Sequence, residues 1–213
     1  MLFFKKKYID NPYGKSLLLV VYDGNKPIAA IADWRNDLGD RLAYQSADGN
    51  VIKEYRKKGV FTKTESVMNS YIEKDAVVYG FPNMKSYPAF VKMKWYLVSE
   101  SRVNLFLFPY QMKDEKIPYD YAKWWILGHN NLYSIKWLGH YYLVRKRINK
   151  PVCRVLGEVD KQTASLFQTY KQFTFLTFSS RWKLLSLFDK NAIRIISLRH
   201  SDVFVPTWKV DAM

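Results

Sequence analysis

The apolar positions change period along the chain, and each change marks an element. Residues 16–22 form an uninterrupted apolar run around Leu-Leu-Leu-Val-Val, which predicts a buried strand. Asp23-Gly24-Asn25 supplies a hairpin turn, and residues 26–34 predict the returning strand. After a loop at 36–40, residues 41–53 predict a third strand with Asp48-Gly49 inside it. From Phe61 the spacing turns helical: Phe61, Val67, Met68, Tyr71 and Ile72 recur over 61–74. Residues 76–81 then predict a strand ended by Pro82, 86–94 a short helix, and 95–98 and 101–108 two further strands. Residues 3–10 suit a helix end or an edge segment, and Asn11-Pro12-Tyr13-Gly14 is a turn. The helix between strands 41–53 and 76–81 makes that pair parallel, whereas the earlier strands are hairpin-joined and antiparallel. The expected fold is therefore a mixed α/β sheet.

The second half repeats this order. A helix at 119–128 carries Trp124 and Trp125, and 133–137 with 141–147 make a hairpin across Gly139. A strand at 152–159 leads through Asp160, an N-cap residue, to a helix at 162–173 with Ala164, Leu166, Phe167 and Tyr170. A strand at 175–178, a helix at 181–188 and strands at 193–198 and 203–208 complete the order. This is a duplication of element order, not of residue identity. It predicts two lobes, 1–108 and 119–213, joined by a linker at 109–118 that holds lysines, acids and prolines.

Composition narrows the function. An apolar fraction of 48% in 213 residues suffices for a sizeable core and argues against disorder. The formal charge of +15 suits anionic partners such as phosphates, nucleic acid, acidic glycans or a membrane surface. Its lysines and arginines are dispersed without a like-charge block, so a solvated surface accounts for most of them. A single cysteine, Cys153, excludes an internal disulfide and a cysteine metal cluster, and its strand setting predicts a buried thiol. His129, His140 and His200 have no partners at metal-ligand spacing, and no Ser-His-Asp order appears, so no metal site is expected. The longest apolar run is too short to span a bilayer, and charge follows rather than precedes the N-terminal apolar residues, so a soluble cytoplasmic protein is expected. No nucleic-acid-binding motif is present.

One stretch carries chemistry. Glu54-Tyr55-Arg56-Lys57-Lys58-Gly59-Val60-Phe61 is a basic glycine turn between a strand and a helix start. Amides there are unpaired and the helix dipole adds positive charge, so a phosphate or pyrophosphate is the natural ligand. Locally, the same residues would serve equally as a solvated basic loop. Arg56-x-x-Gly59-x-Phe61 resembles the R/Q-x-x-G-x-G/A signature of the GNAT acyl-CoA N-acyltransferases. Asn83-x-x-Ser86-x-x-x-Phe90-x-Lys92-x-Lys94-Trp95 resembles that family's N-x-x-A-x-x-x-Y-x-K-x-G-F segment. The resemblance covers about residues 8–105.

It implies an acyl-CoA N-acyltransferase-like fold that binds acetyl-CoA or another acyl-CoA. The cofactor would meet Arg56, Lys57, Lys58, Gly59, Val60, Phe61 and Thr62. Asn83 would either bond the cofactor or cap the following helix. Asp48-Gly49-Asn50 reads equally as the family's strand bulge or as a plain turn. The Val51 and Ile52 amides are the nearest match to the family's oxyanion donor. Asp48 is the candidate base, ahead of Glu54, which suits a solvated strand end. Phe90 stands at the family's thiolate-protonating tyrosine and cannot donate, so Tyr87, one turn earlier, is the candidate acid; its alternative is packing. Lys94 and Phe61 replace a usual glycine and a usual small residue.

At the matching place in the second half, Gly157-Glu158-Val159-Asp160-Lys161-Gln162 has two acids and no glycine turn. That lobe resembles a degenerate copy, as in Fem-type ligases and other two-lobed members of the fold. The resemblance thus implies transfer of an acyl group, acetyl above all, to the amine of a small molecule such as an amino sugar or amino acid. A non-catalytic acyl-CoA-binding or scaffold protein is the alternative, and a nucleic-acid-binding module the third reading. Nothing in the sequence sets an oligomeric state.

Overall fold

Strands β1 (Leu17–Asp23) and β2 (Lys26–Arg35) form the expected hairpin, from Leu17 opposite Asp33 to Asp23 opposite Lys26. β3 (Ala43–Val51) runs antiparallel to β2. Helix α1 (Val60–Ser70) then crosses to β4 (Val77–Gly80), which lies parallel to β3 from Ala43/Val77 to Ser46/Gly80. Helix α2 (Tyr87–Lys92) and β5 (Tyr96–Leu105) come next, β5 being one strand where the apolar pattern suggested two. The structure is a computed structural model, and residues 4–105, 115–147, 152–171, 175–180, 193–206 and 209 are described.

The second half supplies α3 (Tyr119–Trp124), β6 (Leu132–Trp137), β7 (His140–Lys146), β8 (Val152–Val159), α4 (Lys161–Ala164), β9 (Phe175–Ser180) and β10 (Ile193–Ser197). β6, β7 and β8 are antiparallel neighbours, and β9 runs parallel to β8. The helix expected at 162–173 is only one turn long. Residues beyond it are drawn into an extended bridge: Ser134 N–H donates to the Gln168 carbonyl, and Tyr170 N–H to the Ser134 carbonyl. Residues 203–206 are not a strand, and the helix expected at 181–188 lies outside the described residues.

The chain forms two compact units, Met1–Ser99 with Ile193–Phe204, and Glu100–Ala192 with Val205–Met213. This division differs from the sequential one that the repeat suggests, because the two last strands are exchanged. β10 pairs antiparallel with β4, giving the first unit the order β1-β2-β3-β4-β10. Arg102–Leu105 of β5 pairs antiparallel with β9, giving the second β5-β9-β8-β7-β6. The edge of β4 away from β3 needs a partner, and a distant segment with the right apolar face meets that need as well as a near one.

The first core gathers Tyr44, Ile72, Ala76, Val78, Phe90, Trp95 and Ile196. The second gathers Ile135, Tyr142, Val144, Cys153, Val155 and Leu176, with the cysteine fully buried as its strand setting predicted. Among the described residues no helix is long and apolar enough to cross a membrane.

Candidate functional site

β3 outruns β4. Their parallel ladder ends at Ser46/Gly80, while β3 continues to Val51. Beyond that point the far edge of β3 meets no strand among the described residues. The register against β2 slips within this stretch: Ala32 faces Ala47 but Ala30 faces Asn50, so β3 carries one extra residue. Asp48 takes φ +50° there. Asp48-Gly49 is therefore a bulge rather than a turn. Gly49 packs closely here, since a Cβ at that position would lie 3.0 Å from the Phe61 ring and the ring would have to give way.

The bulge sorts the two backbone donors expected from sequence. Ile52 N–H donates to the Ile28 carbonyl at 3.0 Å and is committed to β2. Val51, one residue earlier, is the outward-facing member of the alternating ladder. Its carbonyl accepts from Arg56 Nε at 2.8 Å, and its amide points to the same open side. The Val51 amide thus lies on the open edge, whereas the Ile52 amide is already bonded to β2.

The basic turn leads from this strand end into α1. Gly59 is the N-cap with φ +77°, a left-handed conformation that glycine adopts without strain. The first bond into the helix is Lys63 N–H to the Gly59 carbonyl. The amides of Val60, Phe61 and Thr62 thus have no backbone acceptor among the described residues, as expected of a first turn. Arg56, Lys57 and Lys58 carry no ion pair among the described residues. Tyr55 anchors the turn: its hydroxyl donates to Asp23, and Lys58 and Lys26 lie 5.4 and 5.9 Å from its ring. Phe61 turns its side chain inward against Phe90, ring centroids 5.5 Å apart. Free amides, unpaired cations and a strand edge beside them fit a pyrophosphate with an amide-bearing arm.

Ahead of α2, Asn83 Oδ1 accepts from the amides of Lys85 and Ser86 at 2.9 and 3.0 Å. Its oxygen thus organises the turn into the helix, which leaves the side-chain NH2 for other partners. Phe90 is 6% exposed and packs edge-on against Trp95 at 4.8 Å. That is core, not a proton donor. Tyr87 is half-buried, with the Arg194 guanidinium 4.8 Å over its ring. Lys94, which stands where the resembled signature has glycine, takes φ +61°, the left-handed conformation of a helix end.

Asp48 is tied down. Lys7 Nζ lies 2.6 Å from its carboxylate, and the Tyr8 hydroxyl donates to the same oxygen. Burial pushes the Asp48 carboxyl up, but the bonds from Lys7 and Tyr8 outweigh it and hold it below the usual range. A carboxylate held below its ordinary range by two hydrogen bonds makes a weak base.

Sequence reasoning passed over two acids. Asp33 on β2 and Glu65 on α1 are both fully buried, and burial lifts each well above the ordinary carboxylate range. The signal was legible: Glu65 interrupts the inward stripe Phe61, Met68, Ile72, and Asp33 interrupts the apolar run of β2.

The second unit repeats the bulge without the turn. Leu143 faces Gly157 and Val144 faces Val155, so β8 also carries an extra residue. Gly157 thus corresponds to Gly49. The residues after the bulge differ between the two units. Glu158 is buried and paired with Lys116 and His140, each 3.1 Å away. Asp160 accepts from Thr163 N–H at 2.6 Å as the cap of a four-residue helix.

No protein-family model and no curated protein matches this sequence. Solved structures do. The chain is similar to a GCN5-related N-acetyltransferase from Kribbella flavida, with 12% identity and a TM-score of 0.52 over 85% of this chain and 60% of that one. It is similar to a GCN5-related N-acetyltransferase from Anabaena variabilis, with 14% identity and a TM-score of 0.54 over 92% of this chain and 64% of that one. A probable N-acyltransferase from Enterococcus faecalis aligns with 12% identity and a TM-score of 0.55 over 85% and 62%. The chain spans less than two thirds of the length of each. Together with the bulged strand, the parting of β3 from β4 and the glycine-led α1, these likenesses show that the chain has the GNAT acyl-CoA N-acyltransferase fold.

Proposed function

We propose that this protein transfers an acyl group, acetyl above all, from acyl-CoA to the amine of a small molecule such as an amino sugar or amino acid. The observation that carries the reading is the conjunction, at one end of β3, of an unpaired bulged edge with a basic turn whose amides are free. The bound thioester would supply an activated acyl group. Arg56, Lys57, Lys58 and the amides of Gly59 to Thr62 would hold its phosphates, and the Val51 amide would face the developing oxyanion. Asn83 would contribute its free NH2, and Tyr87 would protonate the departing thiolate. The second lobe would shape the acceptor's surroundings without binding CoA, because Glu158 and Asp160 stand where phosphates would lie. A second reading, a non-catalytic acyl-CoA-binding protein, is favoured by one observation: Phe90 fills the family's tyrosine position with a buried ring.

Calorimetric titration of the full chain with acetyl-CoA tests the binding part, with one site per chain expected. Gly59→Val strains a left-handed N-cap that no β-branched residue accepts readily. It should weaken binding by about tenfold, or about 1.4 kcal/mol, in a chain that still folds. Two equivalent sites, or unchanged affinity in the folded variant, would sink this assignment. Thiol release with a panel of amines decides between transfer and binding alone.

A further inference from the structure

Two carboxyl groups are sealed between α1 and the sheet of the first unit, and among the described residues neither has an ion pair. Asp33 and Glu65 are each 0% exposed. Neither oxygen of Asp33, nor Glu65 Oε2, has a hydrogen-bond partner among the described residues. The fourth oxygen, Glu65 Oε1, accepts from the Ser46 hydroxyl at 2.8 Å. Ser46 stands opposite Asp33 across the β2–β3 ladder and is only half-buried. It is also the last β3 residue paired with β4, so it stands where the two strands part.

Two anions buried this close cannot both persist cheaply. Burial, before anything else, raises both carboxyls; the charge of Asp33 raises Glu65 further, and the hydrogen bond from Ser46 opposes the rise at Glu65. The pair therefore keeps a proton where ordinary carboxyls have lost theirs, and it titrates as a unit. Tyr8, from the helical turn Lys5–Ile9, is the other titratable group that feels the pair: Asp33 contributes to the rise of its phenol. The nearby cations are engaged elsewhere, Lys7 with Asp48 and Arg35 with Asp37.

We propose that Asp33, Ser46 and Glu65 form the proton acceptor for acyl transfer, with Ser46 touching the acceptor amine and the carboxyl pair storing the proton behind it. This rests on the transfer reading above. In the form of the pair whose single proton rests on Asp33, Glu65 is the anion, and the acceptor's ammonium gives one proton to Ser46 Oγ as the Ser46 hydroxyl proton passes to Glu65 Oε1. The pair goes from one proton to two, and from one negative charge to none. The freed amine attacks the thioester carbonyl, the C–N bond forms and the C–S bond breaks. The second proton lost by nitrogen ends on the departing thiolate, and the pair returns its extra proton to solvent. A base that gains and loses a proton near working pH suits this task better than Asp48, whose carboxyl is held below its ordinary range. Ser46 and Glu65 are the parts that pass the proton; Asp33 is a positioning residue that sets the affinity of Glu65 for it.

The test uses the full chain, acetyl-CoA and an amine panel, with thiol release followed across pH. Glu65→Gln and Ser46→Ala should each lower turnover about 10²-fold, with acetyl-CoA affinity and the far-ultraviolet spectrum unchanged. Asp33→Asn removes the neighbouring charge, so the Glu65 carboxyl should titrate at lower pH than in the wild type, a shift that a packing role alone would not produce. Carbon NMR of the side-chain carboxyls should show a signal that titrates above the ordinary range and disappears in Glu65→Gln. Wild-type rate and profile in the Glu65 and Ser46 variants, or no such carboxyl signal, would overturn the proposal while leaving transfer intact. A wild-type chain that binds acetyl-CoA but releases thiol to no amine would overturn the transfer reading, and this role with it.

Discussion

At Phe90 a single residue decides how much of the family's chemistry can be carried over. The ring lies against Phe61 and Trp95, so a hydroxyl added there would enter an apolar cluster. Tyr87, a turn earlier, keeps its ring under Arg194 and is half-buried, a position from which a phenol can reach solvent or ligand. The substitution that separates donor from packing is Tyr87→Phe, which keeps the ring and removes the proton. Acetyl-CoA affinity should hold while turnover falls by about 10²-fold. Equal turnover in mutant and wild type would assign the thiolate's proton to water and leave Tyr87 to packing. Identity was legible at these residues but environment was not. The sequence marked Asp48 as the acid on the cofactor strand, yet Lys7 and Tyr8, far away along the chain, take its lone pairs. Conversely Lys94, a departure from the signature's glycine by residue type, takes a left-handed backbone of the kind glycine favours.

Elements were largely legible wherever contacts are local. The β1–β2 hairpin, the β3–α1–β4 crossover and the parallel pairing it forces all follow from turn chemistry and period. Phe61 and Met68 dock α1 on the sheet, with Ile72 just past its end, and the same face holds Glu65. That exception gives the element a pH dependence. Asp33 and Glu65 both bind protons more tightly folded than unfolded, so they favour the fold most fully below the unfolded carboxylate range of roughly 4. Their contribution is then lost as pH climbs through their raised folded values. Glu65→Gln carries no titrating proton and fills the same space. Its stability relative to wild type should therefore improve steadily between about pH 5 and about pH 9, read as urea midpoints at each pH. Parallel midpoints across that range would mean that Glu65 is not held against its charge. The α4 helix shows the opposite limit of local reading, since the ladder bonds at Ser134 override a helical period after one turn.

The whole molecule is where sequence order misleads. Element order repeats twice, and the bulges at Gly49 and Gly157 show that the repeat reaches the detail of a strand. Yet each sheet closes with a strand from the other half, because strand pairing depends on a complementary edge and face rather than on nearness in sequence. β10 buries Ile195 and Ile196, and beyond it Arg199 donates to the Asn69 and Glu73 carbonyls at the end of α1. The first unit therefore depends on residues 193–204 for a central strand neighbour and for the cap of its long helix. A chain comprising residues 1–108 alone should lose cooperative thermal unfolding and bind acetyl-CoA poorly, with β4 left open along one edge. Joining residues 193–204 to residue 99 through a flexible linker should restore both, since the missing ladder and cap return together. The comparison is read by calorimetric unfolding of the two chains beside the full one. Cooperative unfolding of 1–108 with undiminished acetyl-CoA affinity would show that its own β5 can take the place of β10, and the exchange of strands would then be a matter of connection rather than of stability.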